Sequence, residues 1–522
     1  IKEKKPGTFH EAMQLFWLFA LLAGVINYGR LDDYLGPYLV ADLKSGRLTD
    51  EEAYRYIHSL WTMIENRRTT VNGRIIVGGK GRKHPKEADV FLHIAMKVAK
   101  NCRYVEPQFT LRFDKDTSEE IWDEALDALG AGATYPTLYN DDVNVPAVMY
   151  GMRVDEKAAE QYVPFGCTEF VIQGQSTGTP NICINLLKLL TIYMNDGIDP
   201  IDGKRKSGPV PLKKLEEYQT FEEFYDGYKA LLDYYLDLSV KAQYHSYEVM
   251  NQHVSFLFTS LLTDDCIARG KALLDGGVRY LGGTNETYGN INTSDSLWVI
   301  RDLVFNQKKY TLRQLNDAML ANFNGYEALR KDCLNCDKYG NDLETADTMA
   351  NDLYEFVAKG VRNRGIAIGM QYFLIVISNN QLNTEWGNRT AASPDGRLSC
   401  MYMNPANNPQ GGANKSGPTA MLNSLAKFDA KYHGGSVQNI KFSPSMFNEN
   451  RAVIKSLFKT YFAKGGCHLM VTVVDKGVLE DAVEHPENYP DLIVRVSGFS
   501  AVFVDLSPNI QQELLSRVLY DE

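Results

Sequence analysis

Short apolar runs separated by helical segments are the feature that most limits how this chain can fold. The segments "FLIVIS" at 373–378 and "LMVTVV" at 469–474 are continuously apolar, which is typical of strands buried on both faces. The segments "RIIVGG" at 74–79 and "EPQFTLRF" at 106–113 also predict strands.

Helical patterns lie between these runs. Residues 49–67 and 117–132 have the apolar spacing of amphipathic helices, with Thr49 and Thr117 or Ser118 as expected N-caps. Strand–helix alternation along the whole chain predicts an α/β fold with largely parallel strands. Because we see no repeat, low-complexity tract or Pro/Ser-rich linker, one large domain is favoured over several tethered ones.

The charge and the apolar content of the chain argue against several classes of protein. The net charge of −10 and the lack of a basic stripe argue against a nucleic-acid surface. The longest apolar run, Leu15–Ile26, is too short to span a bilayer, so it predicts a buried helix and no membrane segment. No secretory signal is visible, and Ile1 is not a start methionine, so we expect a cytoplasmic protein whose N-terminal part is missing here.

The cysteines predict neither disulfides nor a metal site. The 8 cysteines are scattered, which fits a reducing compartment. Cys333 and Cys336 form one CxxC pair, but no second pair follows at the spacing of a zinc site. We therefore expect two incidental thiols at the end of a helix, and no metal.

The stretch "VPFGCTEFVIQGQSTGTPN" at 163–181 predicts a reaction site. In a strand, Cys167 and Glu169 point to the same face, so a thiol and a carboxylate share one space. Other segments dense in Gly, Asn, Asp, Ser and Thr are expected as loops over a polar cavity, as catalytic residues often lie on such loops. These segments are 135–146, 166–181, 282–296, 392–397 and 403–420.

A second notable stretch, which contains Gly498, lies near the C-terminus. "NYPDLIVRVSGFSAVFVDLS" at 488–507 predicts two strands joined by the turn "SGFS", with Gly498 at its tip. Taken alone, Gly498 is explained as a hairpin glycine that tolerates unusual φ and ψ.

Together the two stretches resemble one family. "RVSGFS" resembles the radical-bearing loop of the glycyl radical enzymes, and "GCTE" resembles their catalytic cysteine loop in its Gly-Cys-x-Glu form. The two sites are 331 residues apart, about as in that family. The segments "TVNGRIIVGGK", "SPDGR", "SGPTAMLNSLAKFD" and "KFSPS" also resemble it, so the likeness covers essentially the whole chain.

The resemblance implies a fold, a ten-stranded α/β barrel of two five-stranded halves in which the cysteine and glycine loops meet. Known members carry a further N-terminal segment that completes the barrel. We therefore expect residues 1–420 to form a partial pyruvate formate-lyase-like barrel domain, and residues 421–522 to form a glycine radical domain.

The resemblance also implies a mechanism. Gly498 would carry a backbone radical and pass it to the Cys167 sulfur, whose thiyl radical removes hydrogen from a small organic substrate. Glu169 is the expected base, and the reaction is an elimination by a dehydratase or by a C–O, C–N or C–S lyase. Asn140 and Asp141 are candidate substrate contacts. So is Asn181, although diol dehydratases place an Asp about there, and "GCTEF" departs from their usual Gly-Cys-Val-Glu-Pro.

Three alternatives stay open. An arylacetate-type decarboxylase would need an aromatic pocket and a second acidic residue, which the sequence does not locate. A pyruvate formate-lyase-like acyltransferase uses adjacent cysteines, whereas Gly166 and Thr168 flank Cys167. A non-catalytic radical-carrier subunit would not need Cys167, Glu169 and Gly498 together.

The resemblance implies partners as well. A separate radical S-adenosylmethionine activating enzyme, with an iron–sulfur cluster on its own chain, would install the radical on Gly498. This chain is expected to bind no cofactor of its own. We further expect a homodimer, a small-molecule substrate and an anaerobic life, because dioxygen cleaves such chains at the radical glycine.

Overall fold

The structure is a computed structural model that describes residues 4–68, 73–177, 180–254, 256–377 and 381–521. Its strands are β1 Gly29–Arg30, β2 Arg74–Gly78, β3 Gln108–Phe113, β4 Thr137–Asn140, β5 Tyr162–Phe165, β6 Glu169–Ile172, β7 Ser176–Thr177, β8 Pro180–Asn185, β9 Tyr280–Tyr288, β10 Tyr372–Ile377, β11 His433–Ser436, β12 Asn439–Phe442, β13 His468–Val473, β14 Ile493–Arg495 and β15 Ser500–Val502.

The α-helices are α1 Phe9–Leu22, α2 Leu31–Lys44, α3 Asp50–Asn66, α4 Pro85–Asn101, α5 Glu119–Gly130, α6 Asp141–Met152, α7 Glu156–Ala159, α8 Leu186–Met194, α9 Phe221–His253, α10 Leu257–Leu262, α11 Cys266–Arg269, α12 Asn290–Val299, α13 Leu312–Leu320, α14 Glu327–Asn335, α15 Glu344–Ala367, α16 Leu382–Gly387, α17 Gly417–Ala426, α18 Pro444–Glu449, α19 Arg451–Ala463, α20 Lys476–Glu484 and α21 Pro508–Ser516. Residues Ile300–Asn306 continue α12 as a π-helix.

Two helices begin where their sequences predict. Thr49 and Glu52 form a reciprocal capping box at the start of α3. The Ser118 hydroxyl accepts a hydrogen bond from the Ile121 amide at 3.3 Å, which caps α5. These contacts satisfy amides that have no partner inside the helix. Both predicted helices are confirmed.

The first sheet has the order β1-β2-β3-β4-β13-β12. Strands β1 to β4 are parallel, and β13 joins β4 in the antiparallel sense by pairing His468 with Tyr139 and Leu469 with Leu138. Strand β12 then runs parallel to β13. The four strands predicted at 74–79, 106–113, 373–378 and 469–474 are confirmed as β2, β3, β10 and β13, and Ser378 at the end of the third run lies outside the described residues.

The second sheet is parallel, and it continues the first. Strand β9 pairs with β7 and β8 on one side and with β10 on the other, and β10 pairs with β11. Residues 433–442 form β11 and β12 in succession, joined where the Val437 amide donates to Ile377 O and the Met470 amide donates to Gln438 O. The two sheets therefore form one curved wall, called the barrel wall below. The α/β class is confirmed, and the count of ten strands stays a prediction.

Helices cover one face of the barrel wall and a hairpin lies on the other. Helices α2 and α4 pack on β2, and α15 packs on β10. The hairpin β5–β6 contacts β2 of the first sheet and β11 of the second, so it crosses the interior between them. Strand β14 of the hairpin β14–β15 packs beside β13.

Helix α1 departs from the sequence expectation. It covers most of the apolar run 15–26, but Leu18 is 52% exposed and Leu22 is 80% exposed. The predicted burial of this run is therefore wrong in the structure, because α1 packs on the rest of the described chain along one face only. Within the described ranges, no helix is both long enough and apolar enough to cross a membrane.

Candidate active site

The hairpin β5–β6 ends in a three-residue turn, called the cysteine turn, that carries Cys167. Phe165 and Glu169 are the last paired residues, so Gly166, Cys167 and Thr168 form the tip. Gly166 has φ 52° and Thr168 has φ 98°, because such a short hairpin loop needs left-handed residues. Cys167 therefore lies at a turn, and the expectation that it shares a strand with Glu169 is wrong.

The cysteine turn is pressed against the barrel wall. A Cβ atom built on Gly435 of β11 would overlap the Thr168 carbonyl oxygen, so only glycine permits this approach. Beside the turn, Cys167 packs in a small apolar cluster with Ala406, Val437 and Met470. Cys167 is 5% exposed, so its sulfur lies in a nearly dry environment.

Gly498 lies directly against Cys167. It sits between β14 and β15, in the four-residue segment 496–499, called the glycine turn. A Cβ atom on Gly498 would lie 2.6 Å from the Cα, Cβ and Sγ atoms of Cys167. The φ of Gly498 is not left-handed. Glycine is therefore required here by the contact with Cys167, and the hairpin explanation does not account for it.

Two buried arginines donate hydrogen bonds to the backbone of the two turns. Arg74 of β2 donates to the Gly166 carbonyl at 2.9 Å, and Arg495 of β14 donates to the Gly498 carbonyl at 3.1 Å. Both side chains are fully enclosed. Charged donors make strong hydrogen bonds in such surroundings, so each arginine holds the backbone of its turn. The sequence analysis missed both residues, although an arginine inside "RIIVG" or "LIVRV" is an unusual charge in an apolar strand.

The surroundings of Cys167 favour the thiol over the thiolate. Burial raises its pKa well above the usual range, and the negative charges of Glu169 and Glu286 raise it further. Nucleophilic chemistry by a thiolate is therefore disfavoured at this sulfur. A neutral thiol that donates a hydrogen atom, and a neutral thiyl radical that accepts one, fit the same surroundings.

Glu169 is a buried carboxyl at the start of β6. Burial, followed by the charge of Glu286, raises the pKa of Glu169 to about 8, and Arg74 opposes this shift. Its Oε2 atom has no hydrogen-bond partner within the described chain. A carboxyl with this pKa and an uncommitted oxygen exchanges a proton readily near neutral pH.

A second carboxyl, Glu286, shares this site. The Tyr288 hydroxyl donates to its Oε2 at 2.5 Å, and the Cys183 thiol lies 3.5 Å from the same oxygen. Residues 282–296 were expected as a loop, and this is wrong: they form most of β9 and α12. The polar pattern misleads because β9 lies between β8 and β10, so its polar side chains meet partners inside the fold.

The other predicted site residues have different surroundings. Asn140 caps α6 and donates to the carbonyls of Phe462 and Gly466. Asp141 accepts from Arg112 at 2.8 and 2.9 Å and from the Tyr162 hydroxyl at 2.7 Å.

The expected loop at 135–146 is thus wrong, because it contains β4 and the start of α6. Asn181 lies in β8, with its side chain outside the described part of the structure. A role of Asn140, Asp141 or Asn181 in substrate binding stays a prediction.

Comparison with known proteins agrees with this geometry. The family model for pyruvate formate lyase-like proteins matches residues 1–382, which include the cysteine turn. The chain belongs to the pyruvate formate lyase-like family. The glycine radical model matches residues 403–504, which include the glycine turn. The resemblance to glycyl radical enzymes is therefore confirmed.

Several relatives of this family member are dehydratases. The chain is 28% identical to trans-4-hydroxy-L-proline dehydratase of Clostridioides difficile, over 98% of this chain and 68% of that protein. It is 28% identical to (2S)-3-sulfopropanediol dehydratase of Klebsiella oxytoca, over 98% and 65%.

The solved structure of the glycerol-bound, B12-independent glycerol dehydratase from Clostridium butyricum matches with a TM-score of 0.91 at 28% identity. That match covers 99% of this chain and 68% of the other. The chain thus spans about two thirds of the length of these relatives. The dehydratase or lyase class predicted for it is confirmed.

Proposed function

We propose that Gly498 carries a backbone radical which Cys167 converts into the reactive thiyl radical. The contact between Gly498 and the Cys167 sulfur carries this proposal, because hydrogen-atom transfer needs the two atoms side by side. The thiol hydrogen moves to the Gly498 α-carbon as the S–H bond breaks and a C–H bond forms. The unpaired electron then resides on sulfur.

The surroundings suit a long-lived glycyl radical. Without a Cβ atom, the α-carbon flattens and the unpaired electron spreads over the neighbouring amide and carbonyl groups. The whole glycine turn is buried, which keeps water and dioxygen away. Arg495 donates to the Gly498 carbonyl and so fixes the plane of that group.

Elimination follows from the buried carboxyl of Glu169. The Cys167 thiyl radical takes a hydrogen atom from a substrate carbon that bears a hydroxyl group, which re-forms the thiol and leaves a carbon radical. The Glu169 carboxylate removes the hydroxyl proton, and the neighbouring C–O, C–N or C–S bond breaks. The protonated Glu169 then supplies that proton to the leaving group. The product radical finally takes the hydrogen atom back from Cys167.

The electrostatics support this role of Glu169. Burial, followed by the charge of Glu286, raises the pKa of Glu169 to about 8, so Glu169 both takes up and gives up a proton near neutral pH. The three relatives act, by their names, on hydroxyproline, sulfopropanediol and glycerol, which all carry hydroxyl groups. We propose a small hydroxylated substrate for this chain.

One observation favours a second candidate, the arylacetate-type decarboxylase. The second acidic residue that it needs is present as Glu286, and the Tyr288 and Trp386 rings pack nearby with centroids 5.2 Å apart. In this function the thiyl radical would act on an arylacetate. Glu169 and Glu286 would exchange protons with the ring substituent and with the carboxylate of that substrate. A substrate panel separates the two candidates.

The glycine radical family implies a separate activating enzyme and a small-molecule substrate. We propose that this enzyme is of the radical S-adenosylmethionine type, and that the chain acts as a homodimer in an anaerobic cytoplasm. We also retain the division into a barrel domain, residues 1–420, and a glycine radical domain, residues 421–522, as a proposal.

Anaerobic activation followed by electron paramagnetic resonance tests this function. The protein is incubated with a radical-forming activase and S-adenosylmethionine, and we expect a glycyl doublet that collapses when the glycine α-position is deuterated. Activated protein is then given glycerol, hydroxyproline, isethionate and 4-hydroxyphenylacetate. Product from a hydroxylated aliphatic compound supports the lyase. Decarboxylation supports the second candidate, and a radical with no turnover of any compound supports the radical-carrier alternative.

A further inference from the structure

The C-terminal helix α21 reaches the glycine turn through one side chain. Arg517, the residue that follows α21, donates from Nη2 to the Val496 carbonyl at 2.5 Å and from Nη1 to the Arg495 carbonyl at 3.4 Å. These two carbonyls immediately precede Ser497 and Gly498 in the chain. Arg517 therefore holds the backbone on the entry side of the glycine turn.

Arg517 is itself held in a fixed orientation. Both oxygens of Glu513 accept from its guanidinium group, at 2.9 and 2.7 Å. Glu513 is 2% exposed, and the Arg517 side chain is 12% exposed, so this bidentate pair is largely shielded from water. A planar guanidinium group held by two parallel bonds has little freedom left and points its remaining donors in one direction.

The helix is tied to the barrel wall in turn. Lys441 of β12 donates to the Leu514 carbonyl in α21 at 3.1 Å. A Cβ atom on Gly411 would overlap the side chain of Ser516, which shows how closely α21 approaches the loop before α17. The contacts run from the wall through α21 to Arg517, and from Arg517 to the glycine turn.

The glycine turn must also leave this position. Gly498 is buried against Cys167, so a separate protein that acts on its α-carbon cannot reach it while the turn is docked. The turn therefore needs a docked state for hydrogen-atom transfer and an undocked state for activation. The two bonds from Arg517 bias the equilibrium toward the docked state.

We propose that Arg517, oriented by Glu513, is a positioning residue that keeps the glycine turn docked on Cys167 and so sets the balance between turnover and activation. This inference rests on the proposed function, because it assigns the radical to Gly498. Loss of two hydrogen bonds from a charged donor reduces the docked population about tenfold relative to the undocked one. Radical installation then becomes faster, and turnover per radical becomes slower.

The test uses the full chain with Arg517→Ala, Arg517→Lys and Glu513→Gln. Arg313→Ala is the matched control, because Arg313 pairs with Glu216 at 2.7 Å on the exposed surface. Two rates are measured: the initial rate of doublet formation with the activase, and the product formed per spin. For Arg517→Ala we expect the first to rise and the second to fall, so that the ratio of the two rates changes about tenfold, with smaller changes for the other two variants. General damage to the fold lowers both rates, so a parallel fall would overturn the proposal.

A readout that needs no radical accompanies these rates. Hydrogen exchange of the peptide containing residues 496–499 should become about tenfold faster in Arg517→Ala, with the peptides of β2 and β3 unchanged. Unchanged protection of that peptide overturns the proposal that Arg517 keeps the glycine turn docked. If wild-type protein shows no doublet, the proposed function fails, and the exchange experiment still decides whether Arg517 holds the turn. If Arg517→Ala does not fold, the same comparison is made with Arg517→Lys and Glu513→Gln.

Discussion

Glu169→Gln should make the protein more stable, and the gain should grow with pH. Glu169 is a fully enclosed carboxyl whose folded pKa is about 8, against 4.5 for an ordinary glutamate. Because the folded state binds this proton more tightly than the unfolded state, the group stabilises the fold below pH 4.5, and this stabilisation is lost as the pH rises to about 8. Glutamine keeps the shape of the side chain and never ionises.

The size of the effect follows from the two pKa values. Between pH 5 and pH 9, proton linkage should lower the free energy of unfolding of the wild type by about 4 kcal/mol relative to that of Glu169→Gln. An unfolding entropy of about 2.1 cal/mol/K per residue amounts to about 1.1 kcal/mol/K for 522 residues. The melting temperature of Glu169→Gln should therefore gain about 4 °C on that of the wild type across this range.

Anaerobic melting curves at several pH values measure this difference without any need for substrate or radical. Glu222→Gln serves as the control, since its carboxyl is 69% exposed and water solvates its charge in both states. The gap between control and wild type should stay constant with pH. If the gap between Glu169→Gln and wild type is also flat, or shrinks as pH rises, Glu169 is not a desolvated carboxyl and its assignment as the tuned base fails.

Four further predictions concern the same site. Glu286→Gln removes a like charge, so the pKa of Glu169 should fall, and the rising limb of the profile of kcat/KM against pH should shift to lower pH. Cys167→Ala should still form the glycyl doublet but lose turnover at least a thousandfold; retained turnover would exclude a thiyl radical on Cys167. Gly498→Ala should abolish the doublet and destabilise the fold by about 1–3 kcal/mol, because its Cβ overlaps Cys167. Gly435→Ala should displace the Thr168 carbonyl and lower turnover with the doublet intact, and unchanged turnover would show that the cysteine turn tolerates a shift.

Local patterns were sufficient for much of the fold. The runs at 74–79 and 469–474 are strands because a continuous apolar segment must be buried on both faces, and neighbouring strands meet that need. The caps at Thr49 and Ser118 depend on residues three positions away, so the sequence contains all the atoms involved. The motifs at 166–169 and 495–500 were also recognisable, because a glycyl radical site needs particular residue types at fixed positions.

Long-range packing decided what the sequence left open. Residues 282–296 look like a loop, yet β9 pairs along them because its polar side chains find partners inside the barrel wall, and one of them is Glu286. Composition around Arg74 and Arg495 does not show that each guanidinium group meets the carbonyl of a distant turn. Such contacts depend on how strands far apart in the chain are placed.

Gly498 shows most clearly what the sequence determined and what the tertiary structure decided. The sequence determined that a glycine stands in a turn near the C-terminus, and a turn alone explains such a residue. Only the tertiary structure decided that the φ of Gly498 is not left-handed. It also decided that Cys167, 331 residues earlier in the chain, occupies the space that a Cβ atom on Gly498 would need. Backbone preferences act over a few residues, whereas this contact arises because the barrel wall brings two separate hairpins together.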